Sequence, residues 1–306
     1  MLNIYIIGCG GIGGYLIDLL PMSLASLSLD MMNVPDAQIQ EFLEDAGRRA
    51  IPLIADRLTL IDGDTFNARN SIRQGEGVGS KLEQRAKRLA ENQAVLLKSW
   101  LRSLDIQGWN YYVTPDNMNA IIPHKPEPNQ ANAGADLVYG ERLAKNVGSL
   151  DCPVVFLCVD NKKTRYEVSK YMESFDNCIV INGGNDKTTG HVTIYQKIDG
   201  KQLDPNLYEM YPDITADADR RPDEVGCDEV APKHDQIANT NSIIAIWMSV
   251  AFNNLVRHGR DNYKDRRIND ILIDTDNYMT MAIYHEQKKQ EEQHEEGKSE
   301  GEQGED

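Results

Sequence analysis

A chain of 306 residues is long enough for one large α/β domain or two small ones, and at that size it needs neither a metal nor a disulfide to hold its core. Its formal charge is −16, which argues against nucleic acid as the main partner, because phosphate neutralisation calls for a basic surface. The five cysteines (Cys9, Cys152, Cys158, Cys178 and Cys227) form no CxxC pair, which excludes a zinc ribbon and a disulfide framework and leads us to expect a reducing, cytoplasmic setting.

In chain order, "LNIYII" (2–7) reads as a buried strand that runs at once into glycines and an apolar helix over about 12–29. This opening has no basic n-region and so does not read as a signal peptide. No run approaches 18 uninterrupted apolar residues, so no membrane span is expected. A helical insertion is expected over 30–56, then a second strand at 57–61 ("RLTLI"). The segment 80–101 has apolar residues at helical spacing, with Ser80 as its N-cap. "WNYYVT" (109–114), "PVVFLCV" (153–159) and "CIVING" (178–183) are read as the third, fourth and fifth strands. This alternation predicts a doubly wound, mostly parallel, Rossmann-like α/β sheet.

Two stretches lack periodicity: 115–136, Pro- and Asn-rich and read as a surface loop, and 199–232, a polar connection read as a long crossover loop. A buried helix follows at 236–256, and then a hairpin over 271–285 with its turn at Asp274–Asn277, placing antiparallel strands at the C-terminal end of the sheet. Residues 1–285 therefore read as one domain. The last 21 residues carry nine acids and three bases, and their composition predicts an acidic, disordered tail over 286–306.

Gly8, Gly10, Gly11 and Gly13 form G-x-G-G-x-G between a strand and a helix, where small residues let the backbone approach a phosphate at the positive helix end. Alone, this pattern also suits a nicotinamide or flavin dinucleotide, which calls for an acid about 20 residues later. Asp30 lies near that distance but within the insertion. The first acids at a strand end are Asp62 and Asp64, in "DGDTFNARNSIRQ". Their carboxylates suit ribose hydroxyls, and the Arg73 guanidinium suits charge on phosphates. Lys81 follows on the next helix. Asp160 ends the fourth strand, as a Mg²⁺ ligand would. Asp62 and Asp160 equally suit helix N-caps, and Arg73 and Lys81 solvated surface charges.

Taken together and in order, these residues resemble the ThiF/MoeB family, whose fold the ubiquitin-activating enzymes share. The resemblance rests on Gly8–Gly13, the D-x-D of Asp62 and Asp64, the N-x-x-R-Q of Asn70, Arg73 and Gln74, Lys81, and the D-N-x-x-x-R of Asp160, Asn161 and Arg165. It covers 1–198 and returns over 227–285. It implies ATP- and Mg²⁺-dependent adenylation of the C-terminal carboxylate of a small ubiquitin-like β-grasp protein, with release of pyrophosphate, by a homodimer. It further implies ribose binding by Asp62 and Asp64, triphosphate contacts from Asn70, Arg73 and Lys81, a nucleotide site that includes Gln74 and Asn161, and magnesium on Asp160.

The sequence departs from that pattern in two places. It begins at the first strand, without the family's N-terminal helix and its ATP-directed Arg, for which Arg48 or Arg49 in the insertion is the candidate substitute. It also lacks the two CxxC pairs that many members carry, so no zinc is expected. It resembles most the stand-alone bacterial or plasmid-type members with C-x-E before an N-x-x-x-A helix, which Cys227, Glu229, Asn241 and Ala245 match loosely. Cys227 sits where the family's crossover loop carries a thioester-forming cysteine. Arg220, Arg221, Lys233 and His234 would lower its pKa, and Asp223, Glu224, Asp228 and Glu229 would raise it. An exposed thiol without a catalytic task is the other reading. A nucleotide-binding scaffold that has lost catalysis, and an NAD(P)-dependent oxidoreductase, remain as rival functions.

Overall fold

The computed structural model describes residues 1–33, 53–64, 104–126, 135–215, 238–259 and 268–285. Within them a single sheet contains β1 (Leu2–Ile7), β2 (Ala55–Ile61), β3 (Asp105–Trp109), β4 (Pro153–Leu157), β5 (Cys178–Asn185), β6 (Thr189–Ile198), β7 (Lys201–Gln202), β8 (Asp270–Asp274) and β9 (Met279–Ile283). The strand order is β3-β2-β1-β4-β5-β6-β8-β9, with β7 paired to β6 off that path. β1 to β5 are parallel, and every pairing from β5–β6 onward is antiparallel. The doubly wound sheet with antiparallel C-terminal strands is thus the architecture the sequence predicts.

β1 and β4 bury every residue because helices cover both faces of the sheet, which explains their unbroken apolar runs. Ile4, Ile6, Val154 and Phe156 face α1 (Gly11–Met31), α3 (Ala135–Val147) and α6 (Ala238–His258) in one core. Tyr5, Ile7, Val155 and Leu157 point the other way, toward α2 (Met118–Ile121) and α4 (Lys162–Met172). By length and composition α1 is apolar enough to cross a membrane, a test that uninterrupted runs do not reveal. Here it is a core helix, with Leu16, Ile17, Leu20, Leu24 and Leu27 fully buried against the sheet and α6.

Three expectations are corrected. The third strand lies at Asp105–Trp109 rather than 109–114, because its pairing with β2 ends at Ile61↔Trp109. There the Asp62 N–H donates to the Trp109 carbonyl (3.1 Å), and the Asn117 side chain holds the backbone of Tyr112 and Thr114 in a turn. Second, a single helical turn, α2, interrupts the expected loop over 115–136. Third, the first half of the polar connection over 199–232 is built structure. It holds β7, a short α5 (Leu207–Met210) and a 3₁₀ turn (Pro212–Thr215). Asn206 makes a capping box with Glu209 and reaches across to the Ser169 carbonyl (3.1 Å) and the Glu173 carboxylate (2.9 Å). Of the expected helical insertion over 30–56, the ends 30–33 and 53–56 adjoin α1 and β2, and its remainder, the expected helix over 80–101, the second half of that connection, and the tail lie outside the described residues.

Candidate functional site

The glycine turn joins β1 to α1. Gly8 sits at φ +90°, and a Cβ on it would come within 2.8 Å of the Cys158 carbonyl carbon and oxygen. A Cβ on Gly13 would lie 1.9 Å from the Gly8 carbonyl oxygen. These two glycines are therefore dictated by close packing of the turn on itself and on the segment after β4. At the N-terminus of α1 the cap is Gly10, no side chain caps the helix, and no acid lies in its first turn. Its leading N–H groups keep their partial positive charge, which suits an anion such as phosphate.

Asp62 follows β2 and is buried. One carboxylate oxygen accepts the Cys9 N–H (2.7 Å) and the other the Asp64 N–H (2.8 Å). The carboxylate thus ties the glycine turn to the end of β2 by charge-assisted bonds. Asp64 accepts the Tyr112 hydroxyl.

After β4, Asp160 is exposed while the next residue, Asn161, is buried and caps α4 through the Thr164 N–H (2.8 Å). The Arg165 guanidinium donates to the Val159 and Gly183 carbonyls and to the Asn182 side chain, fixing the Asp160 segment to the end of β5. β1 and β4 are neighbours although β2 and β3 lie on the far side of β1, so the order reverses between them. That reversal is the switch point where open α/β sheets bind ligands. The structure brings Gly8, Gly10, Gly11, Gly13, Asp62, Asp64, Asp160 and Asn161 to this one edge. Asn70, Arg73, Gln74, Lys81 and Cys227, like Arg48 and Arg49, lie outside the described residues. The other four cysteines are buried and form no disulfide among the described residues. Burial raises the Cys152 thiol and pushes Cys158 and Cys178 up to about 12, so none of the three supplies a thiolate at neutral pH.

A pocket of about 510 Å³ opens beside Asp160. Three of its polar residues went unread in the sequence or were named only in passing: Arg165, His191 on β6, and Tyr211. The His191 ring stacks on Tyr211 (5.4 Å between centroids, 17° between planes). Burial, reinforced by Arg165, pushes its pKa down to about 4, so the imidazole is neutral at physiological pH. The Tyr211 hydroxyl donates to Asp270, a fully buried carboxylate at the start of β8 that also meets His285 Nε2 at 3.0 Å. Burial and that hydrogen bond hold the tyrosine well above its ordinary pKa. The available signal for His191 was the polar–apolar alternation of "TGHVTIYQK" after residue 188, which marks a strand.

By sequence, no family model and no curated protein matches the chain. Among solved structures, Escherichia coli MccB shares its fold at a TM-score of 0.55 and 13% identity, over 92% of this chain and 62% of MccB. A structure of MccB, a microcin C7 biosynthetic enzyme, in complex with N-formylated MccA gives 0.53 and 14%, over 92% and 64%. MccB has also been solved with ATP. PaaA gives 0.50 and 14%, over 93% of this chain and 64% of its own. The chain thus spans somewhat under two thirds of each of these proteins. What the likeness establishes is the fold, a mixed α/β Rossmann-like sheet shared with MccB and PaaA.

Proposed function

We propose that this chain is an adenylyltransferase that joins the C-terminal carboxylate of a polypeptide to AMP from ATP. The observation that carries the reading is a juxtaposition. The uncapped N-terminus of α1, the exposed Asp160 and the 510 Å³ pocket share one edge of the sheet. The fold is that of MccB, which has been solved with ATP and with MccA.

In this reading the α1 N–H groups receive a phosphate, and Asp62 keeps the glycine turn in register and accepts from the ribose. Asp64 accepts beside it. By the motif resemblance, Asn70, Arg73 and Lys81 serve the triphosphate and Gln74 belongs to the same nucleotide site. Asp160 is an exposed, hard oxygen donor at the same edge and fits magnesium. Mg²⁺ there would offset charge on the phosphates. Asn161 and Arg165 hold the Asp160 segment in place.

The substrate carboxylate is already ionised at neutral pH, so no residue has to remove a proton. Its oxygen forms a bond to the α-phosphorus as the bond to the pyrophosphate oxygen breaks, and pyrophosphate leaves. The motif resemblance supports a small ubiquitin-like protein as substrate, a homodimer and onward transfer to Cys227 as a thioester, and the cysteine usage supports a reducing, cytoplasmic setting.

The test is pyrophosphate–ATP exchange with Mg²⁺, with and without small β-grasp proteins encoded beside this gene. Partner-dependent exchange that disappears in Arg73→Ala, and a thiol-labile adduct that disappears in Cys227→Ala while exchange persists, are expected. ATP binding without exchange under any partner would leave only a nucleotide-binding scaffold.

A further inference from the structure

Adenylation of a carboxylate moves no proton, yet the pocket beside Asp160 holds a neutral imidazole placed as a proton acceptor. His191 on β6 lies directly opposite Gly184 on β5, and both line the pocket together with Arg165 and Tyr211. A Cβ on Gly184 would come within 3.0 Å of His191 Nε2 and 3.2 Å of Arg165 Nη1. The glycine therefore makes room for the ring to lie across β5, with its Nε2 edge beside Arg165. That guanidinium also holds the Val159 carbonyl, one residue before Asp160.

Packing, not hydrogen bonding, fixes this ring. It stacks on Tyr211, whose hydroxyl is tied to the fully buried Asp270. Among the described residues neither ring nitrogen has a hydrogen-bond partner, so both remain for a ligand. The surrounding charges suit a proton taken up for a short time. Burial and Arg165 keep the resting ring neutral, while Asp270, Asp186 and Asp213 favour the imidazolium once it forms. The proton also points to the kind of nucleophile. A carboxylate reacts already ionised, and a thiol of lowered pKa attacks as the thiolate, so neither needs a base at the moment of attack. A primary amine still carries N–H protons as it attacks and must lose one before the adduct collapses to an amide.

We propose that His191 is the catalytic base of a second step, in which the acyl group passes from the adenylate to a primary amine. The amine nitrogen bonds to the acyl carbon, the bond from that carbon to the AMP phosphate oxygen breaks, and AMP leaves with the electron pair. The proton lost by the nitrogen goes to Nε2, in the tautomer whose ring proton is on Nδ1, and from there to solvent. The products are an amide and AMP. Gly184 and Tyr211 are positioning residues for Nε2. The inference rests on the adenylation reading for the origin of the adenylate.

The experiment supplies the adenylate ready made. The full chain, in excess and with Mg²⁺ at neutral pH, is mixed with chemically prepared N-acetylglycyl-AMP and glycinamide, and the amide product and AMP are followed by chromatography. The unmodified chain should speed amide formation at least about 100-fold over the same mixture without protein, the lower end of what a positioned base supplies. His191→Ala should lose about that factor, and added imidazole should restore part of it, a rescue that a merely structural loss would not show. Gly184→Ala keeps the histidine but pushes its ring aside, so a loss of at least about 10-fold is expected there. No acceleration by the unmodified chain, or full acceleration in both variants, would overturn the proposal, and the first result depends on no variant folding. Pyrophosphate in place of glycinamide separates the two readings, because ATP formed from the same adenylate is adenylation run backwards. Amide without ATP keeps the His191 assignment and removes adenylation. ATP without amide keeps adenylation and removes the His191 assignment.

Discussion

His191 shows how one side chain can tie the pocket to solution conditions. Its ring lies against Tyr211, with Arg165 beside it, and burial disfavours the charged form more than Asp270, Asp186 and Asp213 favour it. Its folded-state pKa of about 4 lies below the ordinary 6.5. Above pH 6.5 neither folded nor unfolded chain is protonated there, so the residue contributes no pH dependence. Between 6.5 and about 4 the unfolded chain takes up a proton that the folded one refuses. Stability therefore falls as pH falls through that window, by up to about 3 kcal/mol. In urea unfolding at pH 7 and pH 4.5, His191→Gln should flatten this loss, whatever the lost ring stacking costs at pH 7. An acid loss of the same size in the variant would assign it to other groups. Asp62 is instructive in a different way. The sequence reads it as a ligand group at a strand end, and the structure adds that both its oxygens already hold backbone N–H groups.

The strand–turn–helix unit over β1 and α1 is the element whose sequence is most tightly dictated. Gly13→Ala would drive a Cβ to 1.9 Å from the Gly8 oxygen, and the obstacle is backbone, which cannot swing aside. A loss of about 3 kcal/mol or more is expected in thermal or urea unfolding. Gly140→Ala is the control. It lies inside α3, where the new Cβ would meet only the Leu150 Cδ1 at 3.6 Å, so a change between zero and about 1 kcal/mol of stabilisation is expected. Equal losses in the two variants would show that the turn is looser than its geometry implies. At this scale the central strands were legible, because burial on both faces leaves continuous apolar runs. β3 was misplaced by its aromatic run: Trp109 closes the strand, while Tyr112 packs over Gly63 in the following loop. The segment 203–215 read as featureless because Asp204 and Asn206 are buried polar residues held by hydrogen bonds, not by hydrophobic periodicity.

For the molecule as a whole, two apolar cores lie on opposite faces of one sheet, so any ligand that binds only the folded switch point would stabilise the entire fold. Ligand at 100 times its dissociation constant adds about 2.7 kcal/mol to unfolding. For a chain of this size that is a rise of roughly 5 °C or more in thermal midpoint. Mg-ATP should produce such a shift and NAD should not. A shift with NAD alone would return the glycine turn to the dinucleotide reading and displace adenylation.

Local sequence determined the strand periods, the glycine turn with its positive φ, and the presence of acids just after β2 and β4. Each depends on residues a few positions apart, which is the range over which steric and burial patterns are written into a chain. Tertiary structure alone decided that β6 stands between β5 and β8, and that Asp160 opens onto a pocket walled by a hairpin more than a hundred residues further along. The grouping of Arg165, His191, Tyr211 and Asp270 was decided in the same way. Strand order and register are set by which distant faces bury each other best, and alternation in one segment records only that a face is buried, not what buries it.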